Sequence, residues 1–98
     1  MKVEVYIASG HGNTIPEQKD FVSLYSYTKD KDRDQLSIAE MEDVVWEALD
    51  CAIRPITMAT GMYSVPRQFN WSSETHDVAY KSFDFGLKNN VWVMVNLR

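Results

Sequence analysis

Ninety-eight residues, 45% hydrophobic and 12% aromatic, suffice for one domain with one core and are too rich in aromatics for a disordered chain. A formal net charge of −4 without a basic stripe disfavours nucleic-acid binding, and a single cysteine excludes an internal disulfide. No apolar run nears the roughly 20 residues of a membrane span, so no membrane partner is expected.

The opening, MKVEVYIASG, alternates Val3, Val5 and Ile7 with Lys2, Glu4 and Tyr6, the two-residue period of a half-buried strand. It has neither the apolar core of a signal peptide nor the composition of a transit peptide, which favours a cytoplasmic or virion location over signal-directed secretion. ASGHGNT, residues 8 to 14, then breaks the pattern. Its G-x-G lacks the third glycine of a dinucleotide fingerprint, and no helix follows to present free N–H groups to a phosphate. A hairpin connection is the expected reading.

FVSLYSYT forms a second strand. Val22, Leu24, Ser26 and Thr28 share one face, and Phe21, Ser23, Tyr25 and Tyr27 the other. Apolar residues on both faces predict a central strand or an interface. KDKDRD, from Lys29 to Asp34, has nothing to bury and reads as an exposed loop. Asp30, Asp32 and Asp34 imitate the start of a calcium loop. Gln35 and Met41, however, stand where that loop needs a glycine and a bidentate glutamate.

The segment SIAEMEDVVWEALDCAIRP is an amphipathic helix over about 38 to 53. Ile38, Met41, Val44, Val45, Ala48, Leu49, Ala52 and Ile53 fall on one helical face. Ser37 and Glu40 supply a capping box, and Pro55 is expected to end the helix. Beyond it, ITMATGMYSV is expected to be extended with a bend at Gly61, and RQFNWSSETH to be a loop or frayed strand. HDVAYKSFDFGL alternates with a phase shift between Tyr80 and Phe83, which predicts a β-bulge. Gly86 and Lys88-Asn89-Asn90 make a turn. VWVMVNL closes the chain with Val91, Val93, Val95 and Leu97 on one face, Trp92 and Met94 on the other. The whole predicts a single α+β domain, 1–98: a mostly antiparallel sheet of four to five strands packed against one main helix.

Candidate chemistry is sparse. His11, His76 and Cys51 match no metal-ligand spacing, and no third group orients a Cys–His pair, so no catalytic residue, cofactor or metal is expected. Cys51, beside Ala52, is expected to be buried. The acids are unevenly spread: residues 30 to 50 hold eight against two bases, the remainder six against eight. Glu40, Glu42, Asp43, Glu47 and Asp50 point away from the core stripe of the helix, with Trp46 among them. A tryptophan ringed by carboxylates suits a protein-binding surface, with Trp46 as its anchor; a solvated charged face is the other reading.

In element order, EVYIASG, FVSLYSYT, SIAEMEDVVWEALDCAI and MYSVPRQFNWSSETHDVAYKSFDFGL resemble the tail-terminator or tail-completion proteins of long-tailed bacteriophages. This chain opens on a strand where such proteins usually open on a helix, and VWVMVNLR is an additional closing strand. The resemblance implies a small non-enzymatic α+β subunit that forms a ring, often a hexamer, at the end of the tail tube. No functional residue is carried across. The expected function is a self-assembling structural subunit, with a homo-oligomer or another protein as partner. The alternative is a small monomeric inhibitor that docks its acidic helix face on a host protein, and a hydrolase using His11 or His76 is third.

Overall fold

The computed structural model describes residues 1–11, 14–60, 68–72, 74–84 and 90–98, with side chains throughout except at 56–60. Five strands, β1 (Lys2–Gly10), β2 (Val22–Thr28), β3 (Asn70–Trp71), β4 (Val78–Phe83) and β5 (Asn90–Leu97), form one antiparallel sheet in the order β2-β1-β5-β4-β3. One helix, α1 (Ile38–Thr60), lies on one face. This is the α+β arrangement that the alternating strands and the 3.6-residue stripe predict.

The sheet is covered on both faces. On the helix side, Val3, Val5, Val93, Val95, Leu97, Ala79 and Phe83 pack against Met41, Val44, Val45, Ala48, Leu49, Ala52 and Ile53. On the far side, Ala8, Trp92 and Met94 are buried with Phe21, flanked by Tyr6, Val78 and Tyr80. The far-side cover comes from residues 14–21 of the connection between β1 and β2, where a 3-10 turn at Gln18–Asp20 leads into buried Phe21. Pro16 of this connection closes on Gly10, and Gln18 Nε2 reaches Met94 Sδ at 3.8 Å. ASGHGNT therefore divides: Ala8, Ser9 and Gly10 belong to β1, His11 is exposed, and Gly12 and Asn13 lie outside the described residues.

Four sequence expectations are corrected by the packing. First, of the two expectations for β2, a central strand or an interface, the central strand is removed, because β2 lies at the sheet edge. Its register against β1 slips between Val5 and Tyr6: Val5 faces Tyr25, Tyr6 faces Ser23, and Leu24 is the extra residue. The bulge breaks the two-residue period. Tyr25 and Tyr27 face the helix, whereas Phe21 crosses to the far side, away from them. Second, the bulge expected in β4 does not occur there; β4 pairs with β5 without interruption from Val78↔Asn96 to Phe83↔Val91. Its mixed apolar phase arises because both of its faces are covered, Ala79 and Phe83 by the helix layer, Val78 and Tyr80 by the far-side cluster.

Third, α1 does not end at Pro55 but continues to Thr60, so residues 56–60, expected to be extended, are helical. A proline inside a helix removes one N–H and leaves the carbonyl four residues earlier without its donor. Cys51 and Pro55 are both exposed, which places that interruption on the watered side, while Ala52 and Ile53 hold the turn to the core. Fourth, two residues leave their expected places. Cys51 is exposed, because at 100° per residue it sits at the margin of the stripe that faces the sheet. Ile38, at the helix start, is 50% exposed, beyond the reach of the sheet. The expected bend at Gly61 and the turn at Gly86 and Lys88-Asn89 fall outside the described residues.

The capping box forms as expected. Glu40 N–H donates to Ser37 Oγ at 3.1 Å, and Ser37 N–H donates to Glu40 Oε1 at 3.2 Å. A second box joins Asp32 of KDKDRD to Gln35 just beyond it: Asp32 precedes a 3-10 turn at Arg33–Gln35, and Asp32 N–H donates to Gln35 Oε1 at 3.0 Å.

Candidate functional site

The helical spacing places Glu40, Asp43, Val44 and Glu47 on one flank of α1, facing the end of β2. There they line a cleft of about 480 Å³ with Met1, Lys29, Asp30, Lys31 and Leu36. Met1 and Val44 are buried and form its apolar floor with half-buried Leu36. Charged groups alternate around the rim. Lys29 Nζ lies 3.2 Å from Glu47 Oε2, and Lys31 Nζ lies 3.7 Å from Glu40 Oε2. The Ser37 backbone and hydroxyl, then Lys31, hold the Glu40 carboxyl below its ordinary pKa. The Met1 amine donates to the Lys29 and Lys31 carbonyl oxygens at 3.1 and 3.2 Å, so the cleft wall is tied to the strand end.

The six helix residues expected to form one surface are divided by this arrangement. Glu40, Asp43 and Glu47 come together in the cleft. Asp50 sits further along the helix, where Arg54 Nη2 contacts its Oδ2 at 2.5 Å. Glu42 is exposed outside the cleft. Trp46 is half-buried and packs against the main core. It therefore does not share one surface with Glu40, Asp43 and Glu47: a step of 100° per residue turns it off the cleft flank and onto the core margin.

Above the cleft, two stacked tyrosines join β2 to the helix. Tyr25 and Tyr27 have ring centroids 6.0 Å apart at 18°. The Tyr25 hydroxyl donates to the Ala48 carbonyl oxygen at 2.9 Å. Burial pushes both hydroxyls up to about 12, with Cys51 and Glu47 adding to the shift. Sequence reading missed this pair, since tyrosines on a strand carry no mark of what they touch. On its outer side, β2 pairs with no strand among the described residues, and Val22 and Leu24 are 66% and 43% exposed.

The remaining candidates are dispersed. His76 adopts a positive φ of 56° in the turn before β4, and its ring meets Trp71 edge-on at 5.1 Å. That geometry gives it a turn-forming role. Among the described residues, no three His, Cys, Asp or Glu side chains gather as a metal-holding group. A second cleft of about 300 Å³ is lined by Gln68, Phe69, Asn70, Tyr80, Lys81, Ser82 and Trp92. Burial lowers the Lys81 pKa there, and its amine donates to the Gln68 carbonyl oxygen. Asn96 is buried on the far face with its Oδ1 accepting no hydrogen bond among the described residues.

No protein-family model, curated protein or solved structure matches this chain. Among the described residues, no helix is long and apolar enough to cross a membrane.

Proposed function

We propose that this chain is a non-enzymatic, self-assembling structural subunit, of the ring-forming kind that the resemblance to tail-terminator proteins implies. The observation that supports it is the outer edge of β2, seven residues long and paired with no strand among the described residues, with Val22 and Leu24 exposed. An edge strand offers a row of backbone donors and acceptors that another strand can complete. The opposed charge of residues 30–50 and the remainder supplies complementary surfaces between subunits. Light scattering behind a sizing column tests the reading. A mass rising in multiples of 11.3 kDa with concentration is expected, and a mass fixed at 11.3 kDa throughout overturns it.

The cleft favours the second reading, a monomeric inhibitor. Its apolar floor of Met1, Leu36 and Val44 within a charged rim has the layout of a small protein-docking site. A stable 11.3 kDa monomer that forms a one-to-one complex with a host enzyme, lost on Glu47→Lys, is the outcome that selects it.

A further inference from the structure

Between Val22 and Thr28, β2 carries no charged residue and no proline. Edge strands are usually guarded by a lysine, a proline, an inward charge or a bulge. Only the bulge is present here, at Leu24, and it leaves Tyr25–Thr28 as a regular stretch against β1. Ser26 and Thr28 are exposed on it. Charges beside this stretch pair off: Lys29, just past β2, with Glu47 of the helix, and Arg54 with Asp50 within the helix. Cys51 is exposed on the same helix, three residues after Ala48, whose carbonyl oxygen accepts from the Tyr25 hydroxyl.

The geometry points to a second copy of this chain as the occupant of that edge, its β2 paired antiparallel with the first about a two-fold axis at Ser26. The inference rests on the self-assembly reading above and narrows it: a two-fold contact closes as a dimer, so a ring is built from such dimers through a second interface. Unpaired strand amides and carbonyls are completed by another extended strand, which fixes the shape of the occupant. Its charge is fixed by the flank. A strongly basic or acidic partner finds no counter-charge along the strand. An identical strand brings no like charges into opposition, although the chain as a whole carries −4. With Ser26 at the axis, Tyr25 of one copy lies opposite Tyr27 of the other, an aromatic cross-strand pair on the helix side. The axis stands perpendicular to the joined sheet, so both helices lie on one face with their Cys51 flanks turned toward each other.

Cys51, the sole cysteine, makes the geometry testable in the intact chain. A short-spacer bismaleimide should convert the wild-type protein into a covalent dimer of twice 11.3 kDa through Cys51. Ser26→Lys places two ammonium groups against each other at the axis and should abolish both the dimer and the cross-link. Ser26→Thr, uncharged and β-branched, should retain them, with circular dichroism confirming the fold of each variant. An oligomer that neither cross-links through Cys51 nor responds to Ser26→Lys overturns the edge pairing while leaving self-assembly intact. A strict monomer overturns both, and leaves the edge to a strand from another protein.

Discussion

The Tyr25 hydroxyl donates to the carbonyl oxygen of Ala48 at 2.9 Å, and through it the outermost long strand is fastened to the middle of the helix. Ala48 is itself buried against the sheet, so the bond is made within the packed layer. Its loss in Tyr25→Phe should cost about 0.5–1.5 kcal/mol, the usual net value of such a bond. Denaturant titration measures the cost, and an unchanged midpoint would refute the fastening.

Alkali should act on the same pair. Folded Tyr25 and Tyr27 ionise near 12, against 10.0 for a free tyrosine. Below pH 10 both states keep their protons and the full stability is present. Between about 10 and 12 the unfolded chain loses protons that the folded chain retains, so stability falls as pH rises. The melting temperature should drop across that window and drop less in the Tyr25→Phe/Tyr27→Phe double variant. Parallel curves for the two proteins would contradict the assignment.

Gly10 has a steric reason to be glycine. A Cβ there would stand 2.8 Å from Trp92 Cδ1, 2.9 Å from Trp92 Nε1 and 3.1 Å from Pro16 Cγ. Trp92 is only 6% exposed and cannot swing clear. Gly10→Ala should therefore destabilise by about 1–3 kcal/mol, the range for overpacking, with the change in tryptophan fluorescence reporting the displaced ring. A neutral effect would mean that the connection lifts off the far face freely.

Pro55 offers the opposite sign. Within a continuous helix it forgoes a hydrogen bond that alanine would make, so Pro55→Ala should stabilise by about 1–3 kcal/mol, less whatever the freer unfolded chain takes back. Thermal melting distinguishes this from a helix ending at residue 53, where the substitution would be neutral or destabilising.

Trp46 tests which layer it belongs to. Packed against the core yet half-buried, it should cost about 1–3 kcal/mol when replaced by alanine, below the value for a fully enclosed aromatic. Urea denaturation gives the number; no loss would return Trp46 to the solvent-facing side.

Much of this architecture is legible in the residues. Val3, Val5 and Ile7, the stripe from Met41 to Ile53, and Ser37 with Glu40 specify strand, helix and cap through local periodicity and hydrogen-bonding needs alone. What escapes is set by tertiary neighbours. Nothing near Leu24 announces a bulge, because either face of β2 could accept its side chain. The double cover of β4 imitates a phase slip. Pro55 is tolerated because Ala52 and Ile53 hold its turn to the core, a fact no local rule contains. Of the six helix residues expected to form one surface, Glu40, Asp43 and Glu47 share a cleft by their i, i+3, i+7 spacing. Trp46 leaves them because its large ring gains more from the core margin than from water.

The bulge at Leu24 has a consequence for how the molecule opens. Edge strands ordinarily fray first, exchanging their amide hydrogens through local opening. Here the half-turn between Phe21 and Tyr25 sends one ring beneath the sheet and the other above it, like a clasp gripping both covers of a book. Peeling β2 away must release both layers together. The β1-facing amides of β2 should then exchange as slowly as those of the central strands, and the margin of the sheet should unfold only when its middle does.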